Sequence, residues 1–485
     1  MKPLLNVIDC GPIPFPTIAN HMEKIMAIKI GKPMQDDELI GTADDDKLVG
    51  DVNYNTANKV KGGHDTLEGR GGDDQLVGDV YSTGSSGTVA VQGGDDILKG
   101  EDGKDRLYGD VKESYVDNAS IKGGADRLEG GTGDDTLVGD VDTTGSSGTV
   151  DIQGGDDIIL GGTGTDKIYG DVRRVGNPEA QVKGGHDNIT GGDGHDTAVG
   201  DVDYARIGSG SVSIHGGDDT IKGDAASDNL IGDVRYASAG SGGTIKIRGG
   251  DDNLSGGTEN DLLEGDTSDI SASAGTISVK GGDDILEGEE GSDVLIGDSS
   301  LASSNDNGDV SIVGGHDTLK GGAGDDLLVG DAYKVIGVDG KISIRGGKDI
   351  LEGGAGNDEL VGDVYSASGG TVSIRGGKDT FKFTNEDLDT PAATDTIKDF
   401  DLHLPERGGD ILDVSEMLDY QSGDEISNYI EVEGVGSDTY LKFNVTGAIG
   451  ETFDDHTIIL KNVAATDVDL DALIANGNLV VEEVI

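Results

Sequence analysis

Aspartates recur along this chain at a spacing that could hold metal ions. The phrase Gly-Gly-x-Asp-x-apolar runs through eleven register-equivalent copies. Its acids are Asp65, Asp96, Asp126, Asp157, Asp187, Asp219, Asp252, Asp284, Asp317, Asp349 and Asp379, spaced 30–33 residues apart. In the first ten copies a second acid follows at a constant offset of nine: Asp74, Asp105, Asp135, Asp166, Asp196, Asp228, Asp261, Asp293, Asp326 and Asp358. Asp46 reads as the acid of an incomplete first copy. Glycine makes tight turns that expose backbone carbonyls. Carbonyls combined with carboxylates form a hard-oxygen donor set, which suits Ca²⁺.

An acid that repeats in this way needs a scaffold that repeats with it. The 485 residues include 95 Asp+Glu, 36 Lys+Arg and 85 Gly, for a formal net charge of −59. That sign excludes a nucleic-acid binder, whose phosphate contacts need a basic surface. A single Cys excludes a disulfide scaffold. There is no apolar run long enough for a transmembrane helix. With no Trp and 4 % aromatics, a conventional large core is not expected. A disordered acidic chain has no reason to keep a nine-residue offset through ten units, so a repeat structure neutralised by bound cations remains.

The second acid lies in nonapeptides such as Gly130-Gly131-Thr132-Gly133-Asp134-Asp135-Thr136-Leu137-Val138. Gly321-Gly322-Ala323-Gly324-Asp325-Asp326 and Gly353-Gly354-Ala355-Gly356-Asn357-Asp358 open two others. These resemble the G-G-x-G-x-D-x-U-x repeat of the RTX (repeats-in-toxin) family, a calcium-binding β-helix motif. The resemblance spans roughly residues 40–383. It implies that the aspartates named above, Asp46 included, ligate multiple Ca²⁺ ions together with glycine carbonyls such as those of Gly130, Gly131, Gly133, Gly321, Gly322, Gly324, Gly353, Gly354 and Gly356.

The unit is longer than a plain pair of nonapeptides. Its extra residues lie between a Gly-Asp pair and the next Gly-Gly, and end in alternating segments such as Thr88-Val-Ala-Val91 and Thr244-Ile-Lys-Ile247. Period-two alternation predicts a strand with its apolar residues inward. Each unit therefore reads as one turn of three short strands, with the inserts stacked as a third parallel sheet. One and a half turns per unit is the alternative, and would place successive inserts on opposite faces. The Gly-Asp acids are Asp51, Asp79, Asp110, Asp140, Asp171, Asp201, Asp233, Asp266, Asp298, Asp331 and Asp363. They read either as a third ligand or as turn residues capping their own backbone.

Lys61, Lys122, Lys183, Arg248, Lys280, Arg345 and Arg375 precede Gly-Gly pairs. Stacked turns would line them up, either as a solvated face or as a stripe for an acidic polysaccharide. His64, His186 and His316 read as loop residues. No zinc-protease, nucleophile-elbow or P-loop motif is present, Cys10 lacks the context of a nucleophile, and no carboxylate pair stands out from the array. The chain is therefore not expected to be an enzyme.

The two ends differ from the repeats. Residues 1–35 hold Pro3, Pro12, Pro14, Pro16 and Pro33, lack a secretory signal pattern and are expected to be poorly ordered; Met1, Met22 and Met26 are alternative starts. From Phe381 aromatics return, and the segments around Asp395–Asp401, Gly409–Leu418, Thr439–Val445 and His456–Lys461 read as strands and a short helix closing the solenoid with a small core of their own. The pattern Asp395-Thr-Ile-Lys-Asp-Phe, then Gly409-Asp-Ile-Leu-Asp-Val-Ser, resembles the C-terminal target domain of type I secretion substrates, especially large repetitive surface adhesins. It implies export by ABC-transporter secretion machinery.

The expectation is an all-β chain: a right-handed parallel β-roll or β-helix solenoid of about eleven ~31-residue turns, with a small β-rich C-terminal cap. Residues 1–35 form an N-terminal segment, 36–384 the solenoid and 385–485 the cap and secretion target domain. The expected function is a secreted, calcium-binding repeat protein that folds on Ca²⁺ binding outside the cell. Its role would be structural, adhesive or in a surface matrix. Its partners would be the secretion machinery, an extracellular or surface polysaccharide, or further copies of itself, with no nucleic acid and no membrane span. The alternative is the non-catalytic carrier portion of an extracellular hydrolytic or polysaccharide-modifying enzyme.

Overall fold

A computed structural model describes residues 27–55, 58–84, 87–145, 147–388, 392–450 and 452–482. Cys10 and the alternative starts lie outside the described residues. So does most of the segment expected to be poorly ordered, although its last residues supply a strand, Ile28–Ile30, that pairs with Lys47–Val49.

The chain winds into a parallel β-solenoid of about twelve turns with a period of ~32 residues. One turn shows the plan. Thr66–Gly71 lies in a 14-stranded sheet and Gln75–Val77 in a 16-stranded sheet. The insert follows as Val80–Ser82 and Thr88–Gln92, both in a 19-stranded sheet. Each strand pairs in parallel with its counterpart one repeat away: Leu76 with Leu107, Leu67 with Leu98, and Val91 with Ile121. Consecutive inserts therefore stack on the same side. This decides for one turn per unit against one and a half.

The turn holds four strands rather than the expected three, because the residues after Gly-Asp form a strand of their own. Val80, Val111 and Val141 there face the alternating insert residues Val89, Val91, Ala119 and Ile121 in one apolar cluster. Further along, the two insert strands fuse into single ones, Ala332–Arg345 and Val364–Arg375.

The two largest apolar clusters run along the axis side by side. One is packed between the first two sheets: Leu67, Leu76, Leu98, Leu107, Leu128 and Leu137 are all fully buried within it. Burying each such side chain is worth about 2 kcal/mol, so a column of leucines replaces the missing aromatics. The other core is that of the insert. Glycine pairs let successive turns approach. A Cβ built on Gly94 would lie 1.3 Å from the carbonyl oxygen of Gly63 in the turn before.

The closing segment continues the solenoid. Thr394–Ile397 and His456–Leu460 extend the 16-stranded sheet in parallel, and Asp438–Phe443 and Ile430–Val435 then add antiparallel strands at its edge. A short helix, Leu470–Asn476, is capped by Asp469, whose side chain accepts from the Ala472 N–H. The small separate core expected at this end is instead one cluster with the solenoid, running from Leu48 through Phe381 and Phe443 to Val481. Aromatics return here because the last turn needs larger side chains to cover the open end of that column.

Candidate metal centres

The nine-residue offset places two columns of aspartate on opposite edges of the leucine core. The acid before Thr66–Gly71, Asp65, lies on the edge shared with the insert. The acid before Gln75–Val77, Asp74, lies on the opposite edge. From Asp65 to Asp379 and from Asp74 to Asp358 every one of these carboxylates is buried.

Each carboxylate is divided between two tasks. Within the inner column the backbone N–H of Asp65 donates to Oδ1 of Asp96 at 2.6 Å, that of Asp96 to Asp126 at 2.7 Å, and that of Asp126 to Asp157 at 2.7 Å. The outer column repeats this, with Asp74 donating to Oδ1 of Asp105 and Asp105 to Oδ1 of Asp135, both at 2.7 Å. Oδ1 thus holds consecutive turns in register. Oδ2 of Asp65, Asp96, Asp126, Asp74, Asp105 and Asp135 is buried with no hydrogen-bond partner. Buried acceptors without partners are costly and rare, so a periodic set of them marks a place built for something else.

The Gly-Asp acids join the inner column. Asp79 Oδ2 accepts from the Gly94 N–H at 2.9 Å, and Asp110 Oδ2 from the Gly124 N–H at 2.9 Å. Their Oδ1 atoms are left unpartnered and buried. These acids cap the next Gly-Gly turn, not their own backbone. Among the described residues, carboxylate oxygens approach within 4.8 Å of one another in three sets: Asp51, Asp65 and Asp79; Asp79, Asp96 and Asp110; and Asp110, Asp126 and Asp140. Asp79 and Asp110 each belong to two sets, so neighbouring sites share a ligand candidate.

A carbonyl completes each cradle. A Cβ built on Gly109 would lie 1.9 Å from the Gly139 oxygen and 2.0 Å from Asp126 Oδ2. Those atoms therefore converge on a space that only glycine leaves open. In the outer column the position on Gly100 faces Asp105 Oδ2 at 2.3 Å and the Gly130 oxygen at 2.5 Å. Gly321 faces Asp326 Oδ2 and the Gly353 oxygen, and Gly353 itself faces Asp358 Oδ2. The first glycines of the nonapeptides, Gly130, Gly321 and Gly353, are thus brought to the outer acids. Gly131, Gly133, Gly322, Gly324, Gly354 and Gly356 take positive φ between +90° and +142° and stack against the same position of the neighbouring turn. The incomplete first copy differs: Asp46 accepts from Ala27 N–H and Thr42 N–H and has no free oxygen.

Electrostatics follow from this packing. Burial, then the like charge of Asp79, pushes Asp96 well above the usual carboxylate range. Asp110 and Asp126 are raised in the same way, with Asp126 and Asp157 as the respective first like-charged neighbours. In the outer column burial raises Asp74 to about 6, Asp105 to about 7 and Asp228 to about 8. Without cations the ionised columns would be self-repelling. A bound divalent ion removes both penalties, and the all-oxygen donors fit Ca²⁺.

Three acids absent from the sequence-based set extend the columns into the closing segment. Asp379 N–H donates to Asp410 Oδ1, Asp358 N–H to Asp395 Oδ1, and Asp399 accepts from Gly362 and Asp363 N–H. For two of them the signal was the acid-then-apolar phrase, kept in Asp395-x-Ile and, still behind a Gly-Gly pair, in Gly408-Gly409-Asp410-Ile-Leu. The residues before Gly-Gly do line up, as Lys61, Gln92, Lys122, Gln153, Lys183, His215 and Arg248, all exposed and broken by glutamines. His64 lies on the exposed side of its loop, 3.6 Å from Asp95 Oδ2.

Residues 61–80, 81–111, 122–142, 153–172, 181–203, 215–234, 248–269, 272–300, 313–332 and 345–364 match the RTX calcium-binding nonapeptide repeat family. No curated protein matches the chain.

Proposed function

The chain is an RTX calcium-binding nonapeptide repeat protein wound as a β-solenoid, and from that premise we propose a secreted protein whose folding outside the cell is driven by Ca²⁺. The observation that carries this reading is the unpartnered, buried Oδ2 repeated turn after turn beside a glycine carbonyl. Asp79, Asp96 and Asp110, with their equivalents, would hold the inner ions. Asp74, Asp105 and Asp135, with the carbonyls of the first nonapeptide glycines, would hold the outer ones. The ion supplies the positive charge that the columns lack, so binding energy becomes folding energy. Where Ca²⁺ is scarce, −59 charges and 85 glycines favour an unfolded chain, a state suited to passage through a narrow export channel. Where it is abundant, sites of extracellular-module affinity (~10⁻⁴–10⁻³ M) fill.

The folded rod then acts as a structural or adhesive surface and performs no catalysis. The reading is supported by the periodicity of the acids, which accounts for the buried carboxylates of the repeats without a distinct catalytic group. RTX repeat proteins are typically secreted, and the C-terminal resemblance to type I substrates supports that route here. No helix among the described residues is long and apolar enough to cross a membrane. Limited proteolysis tests the proposal. In Ca²⁺ a resistant fragment spanning the repeats is expected. Equal digestion in Ca²⁺ and in chelator would contradict it.

A further inference from the structure

The three sheets do not end together. The closing segment carries the 14-stranded sheet on through Ile411–Asp413 and Leu479–Val480, and the 16-stranded sheet on through Thr394–Ile397 and His456–Leu460. The insert sheet stops at Val364–Arg375, a 12-residue strand whose one partner among the described residues is Ala332–Arg345. Between Asp399 and Asp410 the chain makes only a short turn, Pro405–Arg407, where earlier units hold two insert strands. The open end shows in burial. Val372 is half-buried and Ile374 is 41 % exposed, whereas Ile342 and Ile344, one turn earlier, are each 1 % exposed. It also shows in the backbone. Gly281, Gly314 and Gly346 each donate to the following insert strand, Gly346 to the Arg375 oxygen at 2.9 Å, and Gly376, next in this series, has no such strand to donate to. By the alternation of a parallel ladder, the N–H groups of Val372 and Ile374 point to the same open side.

Charge is also reversed at this end. The loop position held by Asp218, Asp251 and Asp283 in the middle of the solenoid is Lys348 and Lys378 in its last turns. Arg345 and Arg375 pair in register beside them, and both are exposed. Four cations thus gather at the open edge of a chain whose formal net charge is −59. We propose that the free edge Val364–Arg375 is a docking site for an extended acidic peptide, which adds to the insert sheet as a further strand. The open N–H and C=O groups supply its ladder. Val372 and Ile374 receive apolar side chains at alternate positions of the added strand, and an acid one residue beyond the second of them lies in register with Arg375. The charges choose the partner. A free strand edge is also a template for a second copy, but two such edges would set arginine against arginine. A glycan would meet the cations and leave the ladder and the apolar pair unused. An acidic strand uses all three. The site gives the adhesive rod proposed above a partner class, and rests on that reading.

The test uses the full-length protein saturated with Ca²⁺ and a fluorescent synthetic peptide alternating valine and glutamate, followed by anisotropy. The expected result is saturable binding that weakens with salt and is absent when lysine replaces glutamate in the peptide. Arg375→Glu should weaken binding by about tenfold or more, because it sets like charges opposite each other. Ile374→Pro removes an open-edge N–H, leaves the bonds to Ala332–Arg345 in place, and should abolish binding. Should that variant fail to fold, Arg375→Glu decides. No binding to the wild type, equal binding of the lysine peptide, or binding unchanged in Arg375→Glu would each overturn the proposal. So would binding of polygalacturonate without binding of the peptide, which would assign the cations to a glycan, or sedimentation showing the edge taken by a second copy. Folding in Ca²⁺ is read by circular dichroism before peptide is added, so a failure of calcium-coupled folding is told apart from a failure of docking.

Discussion

The backbone N–H of Asp96 donates to Oδ1 of Asp126, one turn further on, at 2.7 Å, while Oδ2 of that same Asp126 has no partner. One atom of the carboxylate maintains the stack and the other is left for a cation. Register and ion binding therefore rest on the same side chain.

Asp126→Asn separates the two tasks. The amide oxygen can still accept from Asp96, but the set formed with Asp110 and Asp140 loses a charge. The Ca²⁺ midpoint for folding, followed by circular dichroism, is expected to rise at least about tenfold for the affected sites. Asp95→Asn, at an exposed position, should leave the midpoint unchanged.

Acid should partly replace calcium. Asp74, Asp105, Asp228 and Asp358 are raised from 3.8 to about 6, 7, 8 and 9, chiefly by burial. A folded-state pKa above the unfolded value means that the folded chain binds protons more tightly. That contribution is complete below about pH 4 and is lost as pH rises through 6–9. In chelator, β-structure should therefore increase when the solution is taken from pH 8 to pH 4. A fall on acidification would contradict the burial of the columns.

Strain is stored in the irregular repeats. Ala226 holds φ +78° at the nonapeptide position where Gly133 and Gly324 hold +124° and +142°. A left-handed conformation costs a residue with a Cβ roughly 1–2 kcal/mol. Ala226→Gly is expected to raise stability by about 1 kcal/mol in Ca²⁺, measured by urea unfolding.

Removing residues 425–485 takes away the strand His456–Leu460 that covers Thr394–Ile397. The truncated chain should need more Ca²⁺ to fold and should self-associate through the opened end, as sedimentation would show. It should also lose export in a secretion assay if the C-terminal resemblance reflects function.

The repeat, the inward leucines and both acid columns were legible because they depend on local periodicity: an apolar residue two places after each acid must point into the core. The strand Val80–Ser82 was missed because three residues after Gly-Asp carry too short an alternation, and only the recurring valine marks it. The role of Asp79 stayed open because it depends on where the chain returns fifteen residues later, at Gly94. The continuity of Asp395, Asp399 and Asp410 with the columns was hidden by altered loop lengths, which break sequence spacing while the stacked register persists. His456 gave no signal at all, since its buried ion pair with Asp395 arises only from the closing topology.

The central claim is that cations complete the fold, and far-UV circular dichroism of the purified chain at neutral pH tests it most directly. Starting in chelator, Ca²⁺ and Mg²⁺ are titrated separately. The account predicts little β-signal in chelator, a cooperative gain with Ca²⁺ and a much weaker response to Mg²⁺, which dehydrates reluctantly and demands octahedral geometry. A full β-signal in chelator at neutral pH would contradict it.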